Sequence, residues 1–216
     1  MSSIKNTYDE LMGLSLDVVD SIQWENNGVY TNWLAQTFFY ARYTTRIIAL
    51  ASANLNINDI DTHKSFLKHL REENGHEKIA ISDLKKMGKD ITQFTPNEIT
   101  NHLYQSQWFW ISQCPMSVYG YFLYLEGIAI VHGPRIHERL SKKFPKDSIK
   151  YFAVHVEEDV DHVEKHFSLL QEREKFEVDM INENMEQTAK TYLSFLKQIN
   201  ATTNGSQESP VFKESA

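Results

Sequence analysis

The segment Val118–Val131 reads VYGYFLYLEGIAIV, and Glu126 is its one charged residue. Apolar residues surround a helix drawn through this segment, which predicts that the helix is buried on all sides. Even with the three residues before it, the apolar stretch is shorter than the roughly 20 residues that a membrane-spanning helix needs. We therefore interpret the segment as a helix in the core of a soluble protein.

Helical periodicity extends outward from this segment over nearly the whole chain. Apolar residues recur at three- and four-residue spacing, whereas no segment shows the sustained alternation of a β-strand. Turn and capping residues separate about seven helices, near 4–23, 30–53, 58–87, 96–114, 115–132, 148–170 and 174–200. The pattern predicts an all-α, single-domain seven-helix bundle at 1–200 and a disordered polar tail at 201–216.

The composition narrows the classes of function. The net charge of −7 over 216 residues argues against a general nucleic-acid binder, because such proteins need a basic surface. The N-terminus has no basic start followed by an apolar run, and one Cys cannot form an internal disulfide. We therefore expect a cytoplasmic protein with no membrane partner. Nine His against one Cys favour nitrogen and oxygen ligands for any bound metal.

Four potential metal ligands recur along the helix predicted at 148–170. His155, Asp159, His162 and His166 are spaced i, i+4, i+7 and i+11, which places them in one narrow stripe. Apolar residues border this stripe, and imidazole and carboxylate groups at a core boundary suit iron or manganese. The alternative is a solvated edge of a charged helix, and the spacing leaves His166 undecided between the two.

Two other helices place carboxylates against the core. Glu126 lies in the buried helix, where an ionised carboxylate needs a metal, an ion-pair partner or a hydrogen-bond donor. In the helix predicted at 58–87, Glu73 falls on the apolar stripe and His76 follows three residues later. The same Glu-x-x-His unit supplies ligands in carboxylate-bridged di-iron bundles.

Taken together, these positions form a candidate two-metal set of three carboxylates and three histidines: Glu73, His76, Glu126, His155, Asp159 and His162. Two iron ions, or one manganese and one iron, with open positions for O2 would use such a set. The spacing does not decide the roles of the residues near Glu73. Glu72 is predicted to face solvent, and the angular position of Glu77 on the helix does not exclude it as a metal ligand. His69 is either a ligand or a surface residue.

The same stretches resemble a known family. Arg71–Glu77, Tyr119–Gly127 and the motif His155-x3-Asp159-x2-His162 are similar to the haem-oxygenase-like di-iron oxidases and oxygenases, also called iron-containing redox enzymes. Their superfamily includes the TenA thiaminases, pyrroloquinoline-quinone synthase and haem oxygenase. The resemblance implies a seven-helix haem-oxygenase-like bundle whose di-iron centre activates O2 and acts on a small organic substrate.

The resemblance also implies roles for individual residues. The mid-chain ligand of the family corresponds to Glu126, and its late ligands correspond to His155, Asp159 and His162. The early pair is Glu73 with His76 or, in the wider register that some members use, His69 in the carboxylate position. The resemblance further implies an external electron donor and a homodimer.

Two alternative functions remain open. Cys114-Pro115 followed by Tyr119 resembles the TenA segment with its catalytic Cys and Tyr, which would imply a metal-independent thiaminase or other hydrolase. A thiol nucleophile needs an activating neighbour, so a small buried residue at a helix end is the preferred interpretation of Cys114. The other alternative is a non-catalytic helical protein that binds a small ligand.

Candidate substrate contacts come from the second helix and from two arginines. Tyr40 and Tyr43 could line a binding cavity, although aromatic residues at helical spacing more often form the core. Arg46 and Arg135 are candidates to hold the carboxylate of an amino-acid-like substrate. A further hypothesis is that the centre oxidises a tyrosine of its own chain, with three candidates near Glu126: Tyr119, Tyr121 and Tyr124.

Overall fold

The computed structural model describes residues 3–202. This part of the chain has no β-strand, so the all-α prediction is confirmed, and the tail after Thr202 lies outside the described residues. None of the helices in it is long and apolar enough to cross a membrane. The helices are α1 (Ser3–Ser21), α2 (Asn27–Ala41), α3 (Thr44–Asn54), α4 (Ile60–Glu72), α5 (His76–Lys86), α6 (Glu98–Gln113), α7 (Val118–Val131), α8 (Gly133–Lys143), α9 (Lys150–Leu169) and α10 (Lys175–Thr202).

Two of the seven predicted helices are each divided in two, and α8 is an additional helix that follows the fifth predicted helix. Gly75 separates α4 from α5 with a φ of 102°, a left-handed conformation that glycine adopts readily. The Gly133-Pro134 pair separates α7 from α8, because proline has no N–H for the helical ladder. Between α2 and α3, the N–H of Tyr43 bonds the carbonyl of Tyr40 in a tight turn that has neither Gly nor Pro.

Helix α7 is the centre of the bundle and packs against α1, α9 and α10. Most of its side chains are buried, as the apolar sequence predicts. Gly120 permits the close approach of α10, since a Cβ added there would lie 2.3 Å from the Ile181 carbonyl oxygen and 2.6 Å from the Met185 nitrogen. A backbone clash of this kind cannot be relieved by a rotamer change.

Gly120→Ala should therefore lower the free energy of unfolding by about 1–3 kcal/mol, as overpacking typically does. Gly13→Ala is the matched control, because Gly13 lies inside α1 and an added Cβ there meets nothing within 4 Å. The control should gain up to about 1 kcal/mol from helix propensity. Urea unfolding measures both changes, and equal effects would contradict the close packing of α7 on α10.

A buried carboxylate fixes the start of α9 against α5. Asp83 accepts a hydrogen bond from the Tyr151 N–H at 2.7 Å, in the first turn of α9. Asp83 is fully buried, and burial raises its pKa to about 6. This contact holds the histidine stripe of α9 in register with the ends of α4 and α5.

Candidate metal centre

The residues Glu73, His76 and His155 form a half-buried cluster where α4, α5 and α9 meet, the outer group. Glu73 Oε2 lies 3.6 Å from His76 Nδ1, and the rings of His76 and His155 have centroids 5.1 Å apart. His155 Nδ1 donates a hydrogen bond to the Tyr151 carbonyl oxygen at 2.7 Å. In the neutral imidazole this donation leaves Nε2 as the potential ligand atom.

The residues His69, Glu126 and His166 form a buried cluster, the inner group, which joins α4, α7 and α9. Glu126 lies between the two imidazoles. Its Oε1 is 3.3 Å from His69 Nε2, and its Oε2 is 3.2 Å from His166 Nε2. The inner group combines two imidazoles and one carboxylate, the donor set typical of mononuclear non-haem iron sites.

His162 lies close to both groups, because its potential ligand atom clusters with those of His69 and Glu73. Its Nδ1 is 3.5 Å from Asp159 Oδ1, and its Nε2 is 3.4 Å from Glu72 Oε2. The prediction that Glu72 faces solvent is therefore wrong, since it turns toward His162 and only 32% of its side chain is exposed. All six predicted ligands, and the alternative His69, lie in one region of the bundle.

The nitrogen–oxygen separations in this region are longer than those of the shortest arginine–carboxylate pairs among the described residues. The His–carboxylate separations range from 3.2 to 3.6 Å. Three arginine–carboxylate pairs elsewhere have separations of 2.7–2.9 Å. Two ligands bound to one cation at about 2.1 Å are themselves about 3 Å or more apart. The spacing therefore fits side chains that share a cation better than side chains that bond each other directly.

Unsatisfied polar atoms also indicate that the residues fit a metal. His69 Nε2 and Glu126 Oε2 are buried and make no hydrogen bond within the described residues. A buried donor or acceptor without a hydrogen bond costs about 1–3 kcal/mol. A divalent cation between these atoms would bind their lone pairs and remove that cost.

Strong electrostatic coupling shifts the pKa values in the region. Burial alone would lower the pKa of His69, but the neighbouring carboxylates of Glu126 and Glu73 raise it to about 10. Burial would raise the pKa of Glu126, yet the neighbouring His166 and His69 hold it well below its usual range. Burial raises the pKa of Asp159 to about 8. The metal-free centre thus retains protons at neutral pH that a bound cation would displace.

The metal-free protein should lose stability as the pH rises from 6.5 to 9. Over this range the folded state holds protons on His69 and Asp159 that the unfolded chain has already lost, so unfolding releases protons and becomes easier at higher pH. Urea midpoints of the chelator-treated protein measure the change. Asp159→Asn should flatten the curve, and a midpoint that rises with pH would contradict the assignment.

A cavity of about 90 Å³ opens beside the two groups, which is room for several water molecules or a small ligand. Glu73, Glu126, His69, His155 and Asp159 form its polar wall. Most of the aromatic residues that line it are Trp33, Tyr40, Tyr121, Tyr151, Phe152 and Tyr192. None of the described residues that line the cavity is Lys or Arg.

Of the predicted substrate contacts, Tyr40 lines the cavity and the other three residues do not. Tyr43 stacks on Tyr104 with a centroid separation of 4.0 Å, outside the cavity. Arg46 is exposed and donates to the Arg42 carbonyl oxygen. Arg135 pairs with Asp20 at 2.9 Å on the surface. Their positions do not support the prediction that Arg46 and Arg135 hold a substrate carboxylate.

The tyrosines of α7 differ in their surroundings. Tyr121 lines the cavity, and its buried hydroxyl makes no hydrogen bond within the described residues. Tyr124 bonds Ser15 Oγ at 2.8 Å on another side of the helix. Tyr119 packs its ring against His166 with a centroid separation of 5.1 Å. Tyr121 is therefore the one of the three candidates that lines the cavity.

Cys114 is buried at the end of α6 and does not line the cavity. Burial raises the pKa of its thiol, which disfavours the thiolate that a nucleophile needs. Its surroundings support the interpretation as a small buried residue and not the TenA-like alternative.

The sequence left His166 undecided and gave His69 only as an alternative, yet both lie in the inner group. For His166 the available signal is its i+4 spacing from His162 on the same stripe. For His69 the signal is its i−4 spacing from Glu73, and their side chains lie 3.5 Å apart.

Residues 31–194 match the family described as iron-containing redox enzyme. No curated protein matches the chain.

Among solved structures, the chain is similar to a domain of unknown function with a haem-oxygenase-like fold from Shewanella denitrificans. The TM-score is 0.79 at 19% identity, and 93% of this chain and 90% of that one are covered. A TenA homologue from Pseudomonas syringae gives 0.76 at 9% identity, with 91% and 90% covered. A CADD-like protein of unknown function from Nostoc punctiforme gives 0.67 at 13% identity, with 95% and 99% covered. At these low sequence identities the similarity shows the fold alone, and that fold is haem-oxygenase-like.

Proposed function

Because this chain belongs to the iron-containing redox enzyme family, we propose that it is a non-haem di-iron oxidase or oxygenase that activates O2 and acts on a small organic substrate. The observation that carries the proposal is the convergence of five imidazoles and three carboxylates beside one cavity. Their nitrogen–oxygen separations, at 3.2–3.6 Å, suit shared cations.

In this proposal the outer group holds one ion, and His69 and Glu126 hold the other, with His162 and Asp159 completing the set. Glu73 would help to hold the ions, since its Oε1 lies 3.5 Å from His69 Nε2 and its Oε2 lies 3.6 Å from His76 Nδ1. Two bound iron ions, or a manganese–iron pair, would supply the electrons and open coordination positions for O2 reduction. An external electron donor would be the partner that replaces those electrons.

The cavity residues suggest how a substrate is held. The buried Tyr121 hydroxyl has a pKa raised above its usual value by burial, so it stays protonated and can donate a hydrogen bond to the substrate. Aromatic side chains that line the same cavity would exclude bulk water and pack against an apolar or aromatic part of the substrate. With no Lys or Arg in the described lining, an uncharged or amine-bearing substrate fits better than one held by its carboxylate.

Oxygen consumption tests the proposed activity. The full chain, loaded with Fe(II) without air and then mixed with O2 and a reductant, should consume O2, whereas His155→Ala and Asp159→Ala should not. Asp161→Ala is the matched control, because Asp161 is on the same helix with 78% of its side chain exposed. Equal consumption by Asp159→Ala and Asp161→Ala would contradict the proposal. The homodimer and the cytoplasmic location stay predictions.

A further inference from the structure

We infer that His166 is itself a metal ligand, which together with His69 and Glu126 makes the inner group a two-histidine, one-carboxylate site. The inference deepens the proposed di-iron function and rests on it. It goes beyond the six residues implied by the sequence motifs, because it enlarges the set to five imidazoles and three carboxylates.

The long contact between His166 and Glu126 suits two ligands of one cation better than it suits a strong hydrogen bond. Its Nε2 faces both carboxylate oxygens of Glu126, at 3.2 Å and 3.4 Å. A charge-assisted hydrogen bond would be shorter, about 2.7–2.9 Å. The potential ligand atoms of His166, Glu126 and His69 all lie within 4.8 Å of one another. One cation can therefore contact all three side chains.

Packing fixes the orientation of the His166 ring. The ring lies edge-on to Tyr119 at a centroid separation of 5.1 Å and is stacked on Phe122 at 5.9 Å. Only 3% of the residue is exposed, so bulk water does not compete for its nitrogen atoms. Aromatic neighbours on two sides hold Nε2 toward Glu126, which is the preorganisation that a ligand requires.

Cobalt(II) provides a direct count of the bound imidazoles, because each one shows a paramagnetically shifted ring N–H resonance. The wild-type full chain loaded with Co(II) should show five such resonances, and His166→Gln should show four. In this variant the amide can still donate a hydrogen bond to Glu126 but cannot replace the imidazole as a ligand. We expect Co(II) and Fe(II) to bind one of the two sites about 100-fold more weakly. Loss of a residue that only hydrogen-bonds a metal ligand weakens metal binding by about 10–100-fold, and loss of a ligand should have at least the upper of these effects.

His132→Gln is the matched control, since His132 is also 3% exposed but bonds the Met12 carbonyl oxygen at 3.0 Å, outside the centre. It should keep all five resonances and both affinities. Two ions bound by His166→Gln at wild-type affinity, with an unchanged resonance count, would overturn the inference while leaving the di-iron proposal intact. Four or fewer resonances in the wild-type protein would overturn it even if the variant did not fold. A wild-type chain that binds no metal would overturn both.

Discussion

Glu126→Gln should lower the free energy of unfolding of the metal-free protein by about 3 kcal/mol. In iron titrations the same variant should bind one metal ion instead of two. Removing one partner of a buried charge pair leaves the other without compensation, which costs about 3–5 kcal/mol. The carboxylate is within 3.4 Å of the ring nitrogens of both His69 and His166, so its loss affects two imidazoles together. Urea unfolding with chelator and iron titration measure the two effects.

Glu138→Gln is a suitable control for this variant, because Glu138 pairs with Lys142 on the surface with 68% of its side chain exposed. It should leave both stability and iron binding unchanged. If Glu126→Gln instead unfolds like the wild type and retains two irons, Glu126 is neither the centre of the buried charge cluster nor a ligand.

His69→Ala should weaken the binding of both metal ions by about 100-fold or more. This effect exceeds that of losing a residue that only hydrogen-bonds a metal ligand. His69 Nε2 lies 3.3 Å from Glu126 Oε1 in the inner group and 3.5 Å from Glu73 Oε1 in the outer group. Loss of its imidazole therefore disturbs both groups. Calorimetric titration with Fe(II) or Co(II) measures the two affinities.

The same variant decides which residue is the early ligand. If the early pair is Glu73 with His76 alone, His69→Ala retains two tightly bound ions. The comparison is with His63→Ala, since His63 is an exposed histidine on the same helix that contacts Ser52 Oγ at 2.8 Å. Equal affinities in these two variants would remove His69 from the set.

Local sequence signals predicted the helices well where the chain itself carries the information. The helix predicted at 115–132 is found as α7 (Val118–Val131), and its burial follows from composition alone. The fourth predicted helix begins two residues later than expected, at Glu98. Asn97 caps it, by accepting the Thr100 N–H at 2.6 Å. Neighbouring polar residues compete for this role, and sequence does not rank them reliably.

The breaks inside predicted helices were harder to foresee. The turn at Arg42-Tyr43 has neither Gly nor Pro, and it accompanies the stacking of Tyr43 on Tyr104, a residue of a different helix. Gly75 gives only a weak signal, because isolated glycines are tolerated within helices. The break at Gly75 affects the candidate metal centre. It makes Glu73 the residue after α4 and His76 the first residue of α5.

Ligand positions were predictable along one helix but not between helices. The i, i+4, i+7 pattern of His155, Asp159 and His162 requires only the helical repeat. The contact between Glu72 and His162, by contrast, depends on how α4 packs against α9. The same limit applies to Arg46 and Arg135, whose residue type suits a substrate carboxylate but whose positions lie outside the cavity. Residue type predicts the available chemistry, and packing decides where that chemistry is located.

Anaerobic titration of the chelator-treated full chain with Fe(II) tests the central claim most directly. We expect about two tightly bound irons per chain, as for a two-metal centre, with antiferromagnetic coupling visible by Mössbauer or magnetic measurements after oxidation. Absence of stoichiometric iron binding to the folded wild-type chain, or binding that survives loss of His155, Glu126 and Asp159 together, would contradict it.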